Sequence, residues 1–232
     1  SRMGFYNLSP EQIRALQPPS SEDLLRRDGS NISSVLARLQ QYHPERKQRI
    51  EEYLGKIAQG VAGVDPKMLG PMEALEFRQD VAGASYPWRF LGSNMSDGTL
   101  RAFGILVALF QFGNGNHTPA PLIGIEEPEI ALHPAAAGIL IDGLREASSA
   151  SQIIVTSHSP DLLDDERLGE NEVLAVQRIE GNTVIGPLDE VGRSALRDRL
   201  YTAGELLRLN QLAPDPVNIA PRQTSLFDEE DE

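Results

Sequence analysis

Cysteine is absent from this chain of 232 residues. Without thiols the protein has no disulfide framework, no thiolate metal ligand and no cysteine nucleophile. The sequence has no run of about 18 apolar residues, and its first eight residues, SRMGFYNL, lack the apolar stretch of a signal peptide. We therefore expect a cytoplasmic protein that does not enter the membrane.

Positive charge is scarce. The sequence has 21 Lys and Arg residues against 34 Asp and Glu residues, which gives a formal net charge of −13. Such a chain does not attract nucleic acid through its average field, so any DNA contact needs a local basic patch or a partner. With 40% hydrophobic residues, the chain can bury a core and is most simply one domain with appendages.

A phosphate-binding loop of the form Gly-x-x-x-x-Gly-Lys-Ser/Thr is also missing. The nearest candidate, Asp28-Gly29-Ser30-Asn31, lacks the lysine that such a loop requires. We predict a turn there, followed by a helix over residues 32–42 and another over residues 44–59.

The most informative stretch is PLIGIEEPEIALHP, residues 121–134. Residues 122–125 are apolar or glycine, which predicts a buried parallel strand, and Glu126 and Glu127 follow at its C-terminal end. Such a strand is typical of a Walker B motif, in which the first acid holds Mg²⁺ through water and the second orients the attacking water. The alternative is an ordinary buried strand with an acidic exit loop.

Two flanking segments favour the first interpretation. Upstream, Ser96, Asp97, Gly98 and Thr99 form a small polar turn before an apolar helix predicted over residues 100–112, and free amides at a helix N-terminus bind anions. Downstream, a second buried strand, residues 153–156, ends before His158. A helix over residues 135–148 would be the crossover, so both strand ends can face one crevice. A lone histidine is otherwise more often structural.

The ordered motifs SDGT, IEEPE, ALHP and TSHSP resemble the signature loop, Walker B strand, D-loop and switch histidine of ABC-type ATPases. More narrowly, the chain resembles the predicted ATPases related to SMC and RecF proteins, in which glutamate often replaces the Walker B aspartate. Similar segments near both ends extend the resemblance over most of the chain, to about residue 212.

This resemblance implies an α/β fold, the C-terminal lobe of an ABC-type P-loop NTPase with a mostly parallel sheet and flanking helices. No Walker A motif occurs in these residues, so we expect the chain to be the C-terminal lobe alone, either as a fragment or as the partner half of a split protein, and to be inactive by itself. The expected domains are a junction strand and helical subdomain (1–92), the ATPase lobe (93–212) and a disordered acidic tail (213–232).

In the complete assembly the resemblance implies ATP and Mg²⁺ as cofactors, sandwiched in an ATP-dependent homodimer. Glu126 would hold the magnesium shell, Glu127 would orient the attacking water and His158 would sense the γ-phosphate. Nucleotide would be bound across the interface by the loop of Ser96, Asp97, Gly98 and Thr99, with Ser96 and Gly98 touching the γ-phosphate.

The same resemblance implies roles for two further parts of the chain. The D-loop would comprise Leu132, His133 and Pro134 and would couple the two sites. Arg101 could steady a phosphate, although an exposed or capping arginine is the more common case.

The function implied is ATP hydrolysis that opens and closes a dimer in DNA repair and maintenance or in defence against foreign DNA. A non-catalytic module that regulates a partner ATPase is the alternative. It would be recruited through the tail, where Gln223, Leu226 and Phe227 resemble a peptide that docks on the sliding clamp. A nuclease is a weaker possibility, with metal bound by extra acids: Glu129, Asp161, Asp164 and Asp165.

The remaining pattern predicts a hairpin of residues 73–81 and 86–91, and two strands over residues 173–178 and 183–186. A single helix is predicted over residues 194–210. Four arginines near one another in sequence are expected on a solvated helix face: Arg193, Arg197, Arg199 and Arg208.

Overall fold

A computed structural model describes residues 3–112, 122–179 and 181–216 of the chain. The chain forms two compact units, residues 1–158 and 159–232. The domain boundary expected after residue 92 lies inside the first unit.

The first unit contains most of the secondary structure. Its elements in chain order are β1 (Met3–Tyr6), α1 (Pro10–Arg14), α2 (Ile32–Tyr42), α3 (Pro44–Ile57), β2 (Val61–Leu69), β3 (Met72–Gln79), β4 (Trp88–Leu91), α4 (Asp97–Phe110), β5 (Leu122–Glu126), α5 (Ala137–Ser148) and β6 (Gln152–Thr156). The second unit contains α6 (Pro160–Leu163), β7 (Leu174–Ile179), β8 (Asn182–Pro187), α7 (Glu190–Arg197) and α8 (Ala203–Arg208).

A parallel sheet in the order β1-β5-β6 lies at the centre of the first unit. Its middle strand, β5, is the predicted buried strand, and Ile123 and Ile125 are buried. Parallel strands need a crossover connection. Between β5 and β6 the crossover is α5, as predicted. The α/β fold with a parallel sheet is therefore confirmed.

The two faces of this sheet differ. Because side chains alternate along a strand, Ile123 and Ile125 share one face, where α4 contacts β5 and α5 contacts β6. On the other face Phe5, Gly124 and Ile154 lie in register, and Phe5 and Ile154 are 52% and 47% exposed. We call this second surface, with Met3 at its margin, the open sheet face.

The second sheet of this unit is an antiparallel meander in the order β2-β3-β4. The pair β3 and β4 corresponds to the predicted hairpin. The preceding strand, β2, pairs along most of the length of β3, and Gly70 makes the turn between them with φ of +62°.

Helix α4 is the central helix of the first unit, because every residue from Leu100 to Phe110 is buried. Its aromatic residues pack against neighbouring elements, with Phe110 stacked on Tyr53 of α3 and Phe103 edge-on to Phe77 of β3. Helix α4 therefore joins the meander and the helical layer to the parallel sheet.

The single helix predicted over residues 194–210 is wrong. The chain leaves α7 after Arg197, passes through Arg199 with φ of +53°, and begins α8 after Thr202. Thr202 and Glu205 form a reciprocal capping box, a signal that is visible in the sequence as Thr-x-x-Glu. Helical periodicity continued across the break and hid it.

Three of the four arginines expected on a solvated helix face form ion pairs. Arg208 binds Asp161 and Asp164, whereas Arg193 and Arg197 each pair with Glu190. Since these pairs are partly exposed, they contribute little to stability. The second unit depends instead on its own apolar cluster, which comprises Val173, Ala175, Leu188, Ala195, Leu196, Ala203 and Leu206.

Across residues 3–112, 122–179 and 181–216, no helix combines the length and the apolar character needed to cross a membrane.

Replacing Thr202 with alanine should destabilise the second unit by about 0.5–2 kcal/mol, because the Glu205 amide loses its cap. The Thr202 hydroxyl also donates a hydrogen bond to the Asp164 carboxylate. Serine keeps both hydrogen bonds, so T202S is the matched control. Urea denaturation followed by circular dichroism compares the two variants with the natural chain. Equal stability of T202A and T202S would contradict this role of the cap.

Candidate functional site

The carboxylates of Glu126 and Glu127 lie at the C-terminal end of the central strand, as predicted. Glu126 is the last residue of β5. Its side chain lies on the open sheet face, because residues two positions apart, such as Gly124 and Glu126, share one face of a strand. Glu127 leaves the strand in a left-handed conformation with φ of +42°. Its amide donates to the Thr156 carbonyl at 2.9 Å, and its own carbonyl accepts from the amide of Ile130 at 3.2 Å.

An arginine that the sequence analysis missed pairs with the first of these acids. Arg27 Nη2 lies 2.8 Å from Glu126 Oε1. The backbone of Arg27 is fixed beside the end of β1, because its carbonyl accepts from the amide of Asn7 at 3.0 Å. Both side chains are largely exposed, so this pair contributes about 0–1 kcal/mol to stability. The main effect of the pair is to place a positive charge next to the Glu126 carboxylate.

The two parallel strand ends bring His158 and Glu127 together. The distance from His158 Nε2 to Glu127 Oε1 is 3.9 Å, and the imidazole is 92% exposed. Directly before the histidine, Ser157 Oγ donates to Glu129 Oε1 at 2.5 Å. This hydrogen bond joins the loop after β5 to the end of β6.

The extra acids considered for a nuclease do not form a metal centre. Asp161 and Asp164 bind Arg208, and Asp165 binds Arg167. Hydrogen bonding to Arg208 lowers the pKa of Asp164 below its usual value. Within the part of the chain that the structure describes, no group of three or more His, Asp or Glu side chains could hold a metal ion.

Helix α4 begins at Asp97, three residues before the predicted start, so residues 97–99 form its first turn. Ser96 is the N-cap, and its Oγ accepts from the Thr99 amide at 3.2 Å and lies 2.9 Å from Thr99 Oγ1. The exposed carboxylate of Asp97 forms an ion pair with Arg14 of α1. The hydroxyl of Ser96 is thus already used as a cap, while Asp97 is neutralised by a neighbouring helix.

Gly98 packs directly on the loop that follows β5. A Cβ at this position would overlap the carbonyl oxygen of Ala131, a residue that itself has φ of +65°. The next residues include His133, whose Nδ1 caps a short 3-10 helix by accepting from the Ala135 amide at 3.2 Å. The turn before α4 and the predicted D-loop are therefore in contact within one chain.

Arg101 is buried, which corrects the expectation of an exposed or capping arginine. Only 8% of the residue is exposed. Its Nη1 donates to the Leu8 carbonyl at 3.0 Å, and its Nη2 donates to the carbonyls of Glu126 and Glu127, each at 3.1 Å. Burial lowers the pKa of Arg101, and the nearby charges of Glu127, Glu129 and Glu126 oppose that shift. Both terminal nitrogens of Arg101 are therefore engaged by backbone carbonyls.

These residues fit magnesium and phosphate only as parts of a larger site. Mg²⁺ is commonly held by one or two carboxylates together with water and substrate phosphates, and Glu126 offers one such carboxylate. The N-terminus of α4 offers backbone amides to an anion. No lysine of a phosphate-binding loop is present in the sequence. The arrangement fits half of a nucleotide site.

Residues 15–164, more than half of the chain, match the family model described as "AAA domain, putative AbiEii toxin, Type IV TA system". The matched range includes both glutamates, the turn before α4, Arg101 and His158. The protein is an AAA-type, ATPase-like domain, and the chain belongs to this family. A comparison with curated proteins finds no match.

Several solved structures of SMC proteins resemble the chain distantly. A structure titled "Structural biochemistry of ATP-driven dimerization and DNA stimulated activation of SMC ATPases" is 17% identical, with a TM-score of 0.48, and the match covers 71% of this chain and 96% of that one. The Smc head domain of Pyrococcus furiosus bound to the C-terminal domain of ScpA is 14% identical, with a TM-score of 0.48 and coverage of 72% and 40%. The SMC head domain of Thermotoga maritima is 16% identical, with a TM-score of 0.41 and coverage of 68% and 52%.

These similarities are too low to carry a conclusion about function. The chain spans about half or less of the last two structures. The predicted clamp-docking peptide with Gln223 and Phe227 lies outside the described residues and stays a prediction.

Replacing Gly98 with alanine should destabilise the chain by about 1–3 kcal/mol, because the added methyl group meets backbone that cannot rotate away. Gly138, in the first turn of α5, has no atom within 4 Å of an added Cβ. G138A is thus the matched control and should be neutral or stabilising by up to about 1 kcal/mol. Thermal unfolding measures both, and equal shifts in the two variants would contradict the packing of Gly98 on Ala131.

Proposed function

We propose that this chain is the ATP-binding and ATP-hydrolysing lobe of an SMC/RecF-like, ABC-type ATPase and acts with a Walker A lobe supplied in cis or in trans. The observation that carries this proposal is the meeting of Glu127 and His158 at 3.9 Å, beside Glu126 at the end of a parallel strand. Open α/β sheets bind ligands at this end of their strands.

Each side chain at this strand end would have a separate role. Glu127 would orient the attacking water and accept its proton, and His158, on the neighbouring strand end, would donate to the γ-phosphate. Magnesium at Glu126 would neutralise charge on the phosphate oxygens. Arg27 occupies one oxygen of Glu126, so this carboxylate would exchange a guanidinium for the metal shell when nucleotide is present.

The turn of residues 96–99 would bind the γ-phosphate of a nucleotide held by a second copy, in an ATP-dependent homodimer. Ser96 and Gly98 supply the N-cap and the close backbone approach, and Asp97 is paired with Arg14. That ion pair reduces the repulsion that the Asp97 carboxylate would exert on a phosphate.

The exposed apolar side chains of the open sheet face support docking of a Walker A lobe there. Met3, Phe5 and Ile154 expose apolar surface on the face to which Glu126 belongs, and β6 is an edge strand of its sheet. An edge strand accepts a further strand through its unpaired backbone groups. A Walker A lobe bound here would bring its phosphate loop next to Glu126.

We also propose a role in DNA maintenance or in defence against foreign DNA, because the sequence resembles SMC and RecF proteins. The net charge of −13 means that DNA contact would need a partner or a local patch. The alternative remains a non-catalytic module that regulates a partner ATPase and is recruited through its tail.

ATP turnover separates the two proposals. We expect no turnover by the chain alone and turnover when it is mixed with a Walker A-bearing lobe. Glu127→Gln should lower the rate by at least about 100-fold and leave ATP-dependent association intact, because glutamine cannot accept the proton from water. Glu11→Gln, at an exposed residue of α1, is the control.

Two outcomes would reject the catalytic assignment. One is the absence of turnover in a mixture that binds ATP, and the other is a normal rate with Glu127→Gln. Either result favours the regulatory module.

The docking surface has its own test. Ile154→Lys places a charge on the open sheet face and should weaken association with the Walker A lobe by at least about tenfold, because a lysine there must be desolvated. Met68→Lys, on the exposed side of the meander, is the matched control and should bind normally. Size-exclusion chromatography with light scattering measures both. Equal binding by the two variants would place the contact elsewhere.

A further inference from the structure

We propose that Arg101 is a positioning residue that couples the N-terminal turn of α4 to the carboxylate of Glu127. The inference deepens the proposed function, on which its catalytic consequence rests. Arg101 would not touch nucleotide. It would hold the backbone of the glutamate in the one conformation that directs its side chain toward His158.

The contacts of Arg101 join three separate segments of the first unit. The residue belongs to α4, Leu8 follows β1, and Glu126 and Glu127 end β5. One guanidinium donates to a backbone carbonyl in each of the two strand exits, at 3.0–3.1 Å. The planar fork of arginine can reach both exits at once, whereas the single ammonium of lysine cannot match that geometry.

Glu127 needs such a restraint because its backbone is unusual. A non-glycine residue with φ of +42° adopts a conformation that persists only where its surroundings impose it. Three hydrogen bonds meet at this residue: its amide donates to Thr156, and its carbonyl accepts from Arg101 and from Ile130. Arg101 provides the only one of these bonds that comes from a helix.

The same helix begins with the candidate phosphate-binding turn. Arg101 follows Thr99 by two residues, so the turn and the guanidinium move together as parts of one rigid helical segment. Gly98 in this turn also packs on Ala131, beyond Glu127 in the same loop. A displacement of the N-terminus of α4 is therefore transmitted to the loop that carries Glu127.

The charge of Arg101 suits this role. The guanidinium is buried but lies near the carboxylates of Glu126, Glu127 and Glu129, and carbonyl oxygens bind both of its terminal nitrogens. A neutral side chain of similar length would remove the guanidinium donors from these carbonyls and leave the Glu127 carbonyl with only the Ile130 amide. The loop after β5 would then relax, and Glu127 would lose its fixed direction.

The matched control is Arg46, which is also mostly buried and donates to the Gln111 carbonyl at the opposite end of α4. The variants are Arg101→Met, Arg101→Lys, Arg46→Met and Arg46→Lys. Thermal unfolding first establishes that each one folds. Should Arg101→Met fail to fold, Arg101→Lys decides the question by the same criteria.

Hydrogen exchange on the 232-residue chain gives the first readout and needs no partner. Amides of Glu127, Ile130 and Leu132 are hydrogen-bonded within this region. In the Arg101 variants they should exchange at least about tenfold faster, while the amides of α4 keep their protection. Faster exchange throughout α4 and β5, or unchanged exchange at residues 127–132, would overturn the positioning role.

Turnover with the Walker A lobe gives the second readout. Arg101→Met should lower kcat by about 100-fold and change KM by less than about threefold, because a misplaced base slows chemistry without removing binding contacts. The kcat of Arg101→Lys should lie between those of Arg101→Met and the natural chain. Both Arg46 variants should have the kcat and KM of the natural chain. A rise in KM with normal kcat, or equal losses in the Arg46 variants, would overturn the coupling. If the natural pair shows no turnover, the proposed function fails and hydrogen exchange still decides the position of Glu127.

Discussion

The buried guanidinium of Arg101 holds the acidic exit of β5 and the segment after β1 in one arrangement. Burying a charge is costly unless its hydrogen bonds to water are replaced. Here three backbone carbonyls replace those of the two terminal nitrogens, while Nε has no partner within the described residues. The Glu127 carbonyl also accepts from the Ile130 amide, so Arg101 is a second donor to that oxygen. The cation and the strand exits therefore stabilise each other, and the rest of the candidate site is built around that contact.

Arginines from outside the sheet balance an acidic site in an acidic chain. Arg27 lies against Glu126, Arg14 against Asp97, and Arg101 beneath Glu127. They come from the loop before α2, from α1 and from α4. The site thus combines a row of carboxylates with nearby positive charge, although the chain as a whole carries −13. Local pairs decide the field at a site more than net charge does, because exposed charges farther away are screened.

The two faces of the parallel sheet differ in their exposure to solvent. One face is covered by helices, and the other exposes Phe5 and Ile154. Glu126 belongs to the open side, whereas Glu127 turns out of the strand toward His158. The two neighbouring acids therefore meet different surroundings. That difference agrees with distinct roles for a metal ligand and a base, and with a partner lobe on the open face.

The sequence by itself determined the central strand, the crossover helix and the order of the motifs, because strand and helix periods and capping residues act over a few positions. It also contained the capping box at Thr202 and Glu205, which begins α8 as a separate helix. Only the tertiary structure decided the burial of Arg101, the pairing of Arg27 with Glu126 and the packing of Gly98 on Ala131. These contacts join residues that are 25 to 99 positions apart for the two arginines. Local pattern carries no information about such pairs, because their geometry exists only after the strands and helices have packed.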